Sequence, residues 1–205
     1  VSARERGAGR RPYVVFDLDD TLANLREHLM ASLNRRTGRE VHWTEWRRYE
    51  LVGVYGASVE QILAWVLEDR VLEAATLEPH AREAVASARR AGYRVAVVTA
   101  RGWHPQGETI TRRWLDRHGI HLDALHLVPA FGSKAGVLAR LGPVEHFVDD
   151  HAGHLHPARA LPTVRATHLL DRPWNRDDTT LNRLHGLDEV VRLLEREHAA
   201  RASRT

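Results

Sequence analysis

The sequence predicts an α/β protein built on a doubly wound parallel sheet, with a helical segment inserted after the first strand. Three observations carry this. Five short apolar runs are continuous rather than alternating, as expected of strands covered on both faces. Helical periodicity fills the spaces between them, as in βαβ units. Acidic or polar residues close several runs at their C-terminal ends, the side on which open α/β sheets bind ligands.

In chain order, the first run is YVVFD (13–17). Residues 22–90 then show no strand pattern. They divide into a helical insertion over roughly 24–77, best seen in SVEQILAWVLEDRVLEAATL (58–77), and a helix over 79–92 that returns to the sheet with Gly92 as C-cap. RVAVVTA (94–100) is the second run, followed by a helix over 107–120 and the third run, ALHLVP (124–129). A helix over 133–142, with Ser133 as N-cap, leads to EHFVDD (145–150), and VRATHLL (164–170) is the fifth run. LDEVVRLLEREHAA (187–200) is an amphipathic helix ahead of an Arg/Ser tail expected to fray. The expected organisation is a three-layer Rossmann-like core of 12–23 and 78–186, a small cap of 24–77, and a C-terminal helix and tail of 187–205.

Composition narrows the function classes. A chain of 205 residues with 43% hydrophobic content can bury one core and a small accessory unit. It has no cysteine, which excludes disulfides and thiolate metal sites. No apolar run approaches the roughly 18 residues of a membrane span. The N-terminal VSARERGAGRRP lacks the apolar stretch of a secretory signal, so a cytoplasmic protein is expected. With 30 Lys+Arg against 27 Asp+Glu, the net charge of +3 gives no strong pull toward nucleic acid. All but one of those basic residues are arginines. The exception is Lys134.

Asp17, Asp19 and Asp20 follow the first run directly, and Asp149 and Asp150 close the fourth. On a strand of period two, Asp17 and Asp19 would share a side. Like charges this close are costly without a cation between them, and hard oxygen ligands suit Mg²⁺. Helix or turn capping accounts for Asp20 or Asp150 singly, but not for both clusters. Thr99 offers a hydroxyl where the second run stops. Lys134 falls in the first turn of a helix, where a cation opposes the dipole unless an anion stands nearby.

Taken together, FDLDDTL, Thr99 in VVTAR, Lys134 and FVDD resemble the haloacid dehalogenase superfamily of phosphohydrolases. The motifs come in that family's order and span 17–150. The resemblance implies Asp17 as the nucleophile that becomes an aspartyl phosphate, and Asp19 as general acid and base. It implies Thr99 as a phosphoryl hydrogen-bond donor and Lys134 as the neutralising cation. Mg²⁺ would be held by Asp17, the Asp19 carbonyl, Asp149 and Asp150. An acid at position 19 separates phosphate-ester hydrolysis from the dehalogenase branch.

The expected substrate is a small phosphorylated molecule, first a nucleoside or deoxynucleoside monophosphate. VHWTEWRRYELVGVYG (41–56) concentrates Trp43, Trp46, Tyr49 and Tyr55 in the insertion. These could stack on a base or form a helix stripe packed in a core. LLDRPWN (169–175) resembles the 5'(3')-deoxyribonucleotidase branch, although a Pro-Trp turn closing the sheet explains it equally. Trp43 and Trp46, with Ala100 and Arg101 just past Thr99, are the expected substrate contacts. A polynucleotide 3'-phosphatase is the competing reading, with Arg101, Arg112 and Arg113 on the backbone, and a small-metabolite phosphatase is another. A non-catalytic binding module of the same fold is the reading from a different class. His151, His154 and His156 in HAGHLHP suit a transition metal or, more plainly, a solvated loop.

Overall fold

The structure is a computed structural model and describes residues 11–203. The N-terminal basic stretch up to residue 10 lies outside the described residues. Strand β1 (Tyr13–Phe16) is followed by a tight turn and the short β2 (Ala23–Asn24). Helices α1 (Arg26–Thr37), α2 (Val52–Tyr55), α3 (Val59–Glu68) and α4 (Val71–Ala74) come next. Then β3 (Thr76–Leu77) pairs antiparallel with β2, closing the insertion at its base. The remainder alternates: α5 (Ala81–Arg90), β4 (Arg94–Thr99), α6 (Gly107–Arg117), β5 (Ala124–Leu127), α7 (Ala135–Leu141), β6 (Val144–Asp149), α8 (Ala152–Arg159), β7 (Val164–Leu170), β8 (Asn182–Leu184) and α9 (Leu187–Ala202).

Six strands form one sheet in the order β5-β4-β1-β6-β7-β8, every neighbouring pair parallel. The chain runs outward in both directions from β1, so β1 and β6 flank a topological switch point. Alternate residues of the central strands face two different cores. Val14, Phe16, Val95 and Val97 pack with Ala84 and Ala88 of α5, Trp114 of α6 and Leu194 of α9. Val15, Ala96, Val98 and Phe147 pack with Leu138 of α7 and Leu155 of α8. That is the three-layer arrangement expected of continuous apolar strands.

The insertion has a third core of its own, with Leu29, Leu33, Trp46, Tyr55, Ile62 and Val66 meeting Ile110 of α6 and Trp174. Both of its connections are clasped by buried charge. Asp20 Oδ1 accepts from the Arg26 amide at 2.9 Å and its guanidinium at 3.2 Å, and Arg26 also pairs with Glu78. Arg172 adds a bond from Nε to the Asp20 carbonyl at 2.9 Å and an ion pair to Glu78 at 3.3 Å. No helix among the described residues is long and apolar enough to cross a membrane.

Several expectations shift. The helical pattern over 58–77 is broken at Arg70, which takes a left-handed conformation (φ 52°) between α3 and α4, and its last two residues are strand. β8 was not anticipated. Ala91 rather than Gly92 is the C-cap of α5, and Gly92 follows it in a left-handed conformation (φ 84°), the position where a glycine ends a helix. Of the tail expected to fray, Arg201 and Ala202 are helical, with Arg201 bonded to the Ala91 carbonyl at 2.7 Å, and residues 204–205 lie outside the described residues. Lys134 rather than Ser133 occupies the N-cap of α7, while the Ser133 hydroxyl accepts from the Ala135 amide at 3.2 Å.

Candidate active site

β1 ends at Phe16, one residue before the first aspartate, so the pleat does not place Asp19. A turn does. The Leu18 carbonyl accepts from the amides of Thr21, Leu22 and Ala23, and Asp20 takes a left-handed backbone (φ 55°) that aspartate tolerates better than most residues. The turn returns Asp19 to the C-terminal edge of the sheet. There it meets Thr99 at the end of β4, Lys134 at the start of α7, and Asp149 and Asp150 at the end of β6.

Lys134 lies between two carboxylates. Its ammonium is 2.6 Å from Asp17 Oδ1 and 2.8 Å from Asp149 Oδ2, with the lysine side chain 1% exposed. Burial alone would lower the lysine pKa, but Asp149 and Asp17 outweigh it and hold the ammonium protonated. Asp149 Oδ1 accepts the His151 amide at 2.8 Å. Thr99 is fully buried, and its hydroxyl has no hydrogen-bond partner among the described residues. A buried hydroxyl without a partner can donate to an oxygen.

The carboxylates outnumber the cation. Ligand oxygens of Asp17, Asp149 and Asp150 lie within 4.8 Å of one another, and all three residues are buried. Burial pushes Asp17 up to about 6, with Lys134 opposing and Asp149 and Asp19 reinforcing. Burial, with Asp149 and Asp17, pushes Asp150 well above the usual carboxylate range. The partner of Asp150 Oδ2 is a neutral donor, Trp174 Nε1 at 2.8 Å. Excess buried negative charge among hard oxygens fits a divalent cation.

Above this floor opens a chamber with about 200 Å³ of free volume, continuous with solvent. Its walls are mostly apolar: Leu29, Trp46, Tyr49, Ile62 and Val66 from the insertion face Trp103 and Phe131 from the core. Trp46 stacks on Trp174 with ring centroids 4.1 Å apart, so the insertion rests on the side chain that holds Asp150. Asn175 Nδ2 bonds the Asp150 and Leu170 carbonyls, both at 2.8 Å. The DRPWN segment thus braces the second acidic pair.

Of the expected substrate contacts, Trp46 and Ala100 line the chamber, whereas Trp43 and Arg101 do not. Trp43 has its ring face taken by the Arg26 guanidinium at 4.7 Å. Arg101 is committed to Asp19 through Nε–Oδ2 at 2.8 Å and Nη2–Oδ1 at 2.5 Å. Arg112 and Arg113 do not line the chamber either, and Arg112 pairs with Glu108 at 2.7 Å. The three histidines sit on or at the start of α8 rather than in a loop. His151 and His154 line the chamber while His156 pairs with Asp178 at 2.6 Å, so they do not gather around one point. Burial holds His154 down at about 3, which makes it a neutral wall group. Tyr49, one of the aromatics expected either to stack or to pack, lines the chamber, and Trp103 and Phe131 are aromatic wall residues outside the expected contacts. Trp103 and Phe131 follow the C-terminal ends of β4 and β5 closely, and that position is the signal that marks them.

No family model matches the sequence, and no curated protein matches it. Solved structures do match in fold. A predicted phosphatase from Clostridium acetobutylicum is 12% identical, with a TM-score of 0.65 over 91% of this chain and 99% of that one. A HAD-superfamily hydrolase of subfamily IA, variant 1, from Geobacter sulfurreducens is 16% identical, with a TM-score of 0.55 over 92% and 99%. Protein Tyrosine Kinase A from Mycobacterium tuberculosis is 20% identical, with a TM-score of 0.64 over 91% and 99%. The chain therefore has the α/β fold of haloacid dehalogenase-superfamily hydrolases. One fold carries several activities, so the chemistry resides in the side chains of the site.

Proposed function

We propose that this protein is a Mg²⁺-dependent phosphomonoester hydrolase that works through an aspartyl phosphate on Asp17. The observation that carries this reading is the pairing of Lys134 with Asp17 and Asp149 at the floor of the chamber, beside the unpartnered Thr99 hydroxyl. Asp17, Asp149, Asp150 and the Asp19 carbonyl would hold the cation, which when bound supplies charge neutralisation between nucleophile and phosphate. Asp17 attacks phosphorus while the ester P–O bond breaks and Asp19 gives its proton to the departing oxygen. A water molecule then loses its proton to Asp19 and displaces Asp17, releasing phosphate and restoring both carboxyl groups. Thr99 and Lys134 bind the phosphoryl oxygens as charge develops.

Residues 24–77 act as the cap that supplies leaving-group contacts. The first substrate class is a nucleoside or deoxynucleoside monophosphate, supported by the aromatic walls Trp46, Tyr49, Trp103 and Phe131 and by the short DRPWN resemblance. Neither Arg112 nor Arg113 lines the chamber, which leaves the polynucleotide 3'-phosphatase reading without its expected backbone contacts. The test is phosphate release from nucleoside monophosphates, 3'-phosphorylated oligonucleotides and sugar phosphates, with Mg²⁺, with EDTA, and with Asp17→Asn. Mg²⁺-dependent turnover that disappears in the variant is expected, with mononucleotides the best substrates and little loss in added salt. Absence of turnover on every ester would favour the non-catalytic module instead.

A further inference from the structure

We propose that Arg101 is a positioning residue: its guanidinium fork aims the Asp19 carboxyl at the leaving-group oxygen. This rests on the phosphatase reading and goes beyond it, since Arg101 was expected to touch substrate. The Arg101 side chain is 1% exposed, while that of Asp19 is 23% exposed and lines the chamber. The carboxyl therefore faces the reacting space and the guanidinium stands behind it. Nε reaches Oδ2 at 2.8 Å and Nη2 reaches Oδ1 at 2.5 Å, a two-point contact that fixes both torsions of the aspartate. A lysine would make one contact and leave the carboxyl free to turn.

The fork itself is held from behind. Nη1 reaches Thr111 Oγ1 on α6 at 3.5 Å. The turn after β4 fits against its surroundings without room for side chains at two positions. A Cβ at Gly107 would lie 2.3 Å from the Arg101 carbonyl oxygen, and one at Gly102 would lie 2.6 Å from the Val128 carbonyl oxygen. When a proton resides on one Asp19 oxygen, the fork keeps its other donor on the second oxygen, so the aim survives the proton cycle. The proton then passes to the ester oxygen as the P–O bond breaks, and an alcohol leaves.

The distinguishing readout is dependence on the leaving group. Wild type, Arg101→Gln, Arg101→Lys, Asp19→Asn and the double variant Asp19→Asn/Arg101→Gln would be assayed on nitrophenyl, phenyl and alkyl phosphates. Nitrophenolate departs without a proton, and the other leaving groups need one. Arg101→Gln is expected to lose roughly 10²-fold in kcat on phenyl and alkyl phosphates, with little loss on nitrophenyl phosphate and KM almost unchanged. Arg101→Lys should recover part of that loss. Adding Arg101→Gln to Asp19→Asn should cost almost nothing more, because the arginine acts only through the aspartate. An equal loss on every leaving group, a loss confined to KM, or additive losses in the double variant would overturn the proposal. If Arg101→Gln does not fold, the leaving-group dependence of Arg101→Lys decides the same question. Wild type inactive on every ester would sink the phosphatase reading; wild type active with a uniform Arg101 loss would sink this inference alone.

Discussion

Two carboxylates converge on the Lys134 ammonium at 2.6 and 2.8 Å, and the space around it accounts for the single lysine in a chain otherwise supplied with arginines. A compact ammonium fits between two oxygens from different strands, whereas a planar fork is broader and spreads its donors. Lys134→Arg is expected to lower stability by about 1–3 kcal/mol through overpacking and turnover by at least tenfold, read by thermal unfolding and phosphate release. A second expectation concerns the metal. Burial pushes the Asp17 carboxyl up to about 6 from the usual 3.8, so the folded protein bears a penalty for ionising it. That penalty is absent below about 4 and complete above about 6. A divalent cation removes it, so Mg²⁺ should raise Tm more at pH 7 than at pH 5; an equal rise at both would contradict the placement of the ion at Asp17. Asp17, Asp149 and Asp150 stand out in the sequence because they close apolar runs, and Lys134 because it is the single lysine, at the start of a helix. The Arg101 partner does not, because Asp19 lies 82 residues away along the chain and no local pattern encodes that contact.

Among the elements, DRPWN shows how a short segment can serve two neighbours at once. Pro173 through Asn175 form one helical turn that places Trp174 Nε1 on Asp150 and the Trp174 ring against Trp46 of the insertion. Trp174→Phe keeps a ring for Trp46 and deletes the N–H. Removal of such an outer partner typically weakens a metal site about 10–100-fold. The expected result is weaker Mg²⁺ binding by calorimetry, with the apo-protein Tm changed by only a few degrees; unaltered affinity would limit Trp174 to packing. The elements that the sequence left hidden have physical reasons. β8 has three residues at the sheet edge, too short for an apolar run to develop. The break at Arg70 leaves the spacing of apolar residues intact, and what holds it is distant: Asp69 takes the Ser32 hydroxyl at 2.6 Å and the Arg36 guanidinium at 2.5 Å. Trp43 and Trp46 looked alike at a spacing of three, but only the fold decides which ring Arg26 covers.

For the molecule as a whole, the C-terminal helix is fastened to the sheet by a polar chain remote from the site. With the Asn182 amide donating to His168 Nδ1 at 2.7 Å, His168 Nε2 donates to His146 Nδ1 at 2.9 Å, and His146 Nε2 donates to Glu197 at 3.1 Å. Tyr93 donates to the same carboxylate at 2.5 Å. The chain joins β8, β7, β6 and α9, and in it His168 accepts at Nδ1 and donates at Nε2, as a neutral imidazole does. Burial, with His146 beside it, holds His168 down at about 4 against the usual 6.5. Between those values the unfolded state binds the extra proton, so stability from His168 is complete above 6.5 and lost as pH falls toward 4. The full loss is about 3 kcal/mol at most. Other groups act in the same range: His154 in the same direction, and Asp17 and Asp20, both held near 6, in the opposite one. Total stability against pH is therefore an ambiguous readout, and the difference between wild type and His168→Asn is the informative one. Urea unfolding at pH 7 should show His168→Asn less stable than wild type, and at pH 4.5 the gap should narrow by more than half. A gap that stays constant would mean that His168 holds α9 by packing, with no titration behind it.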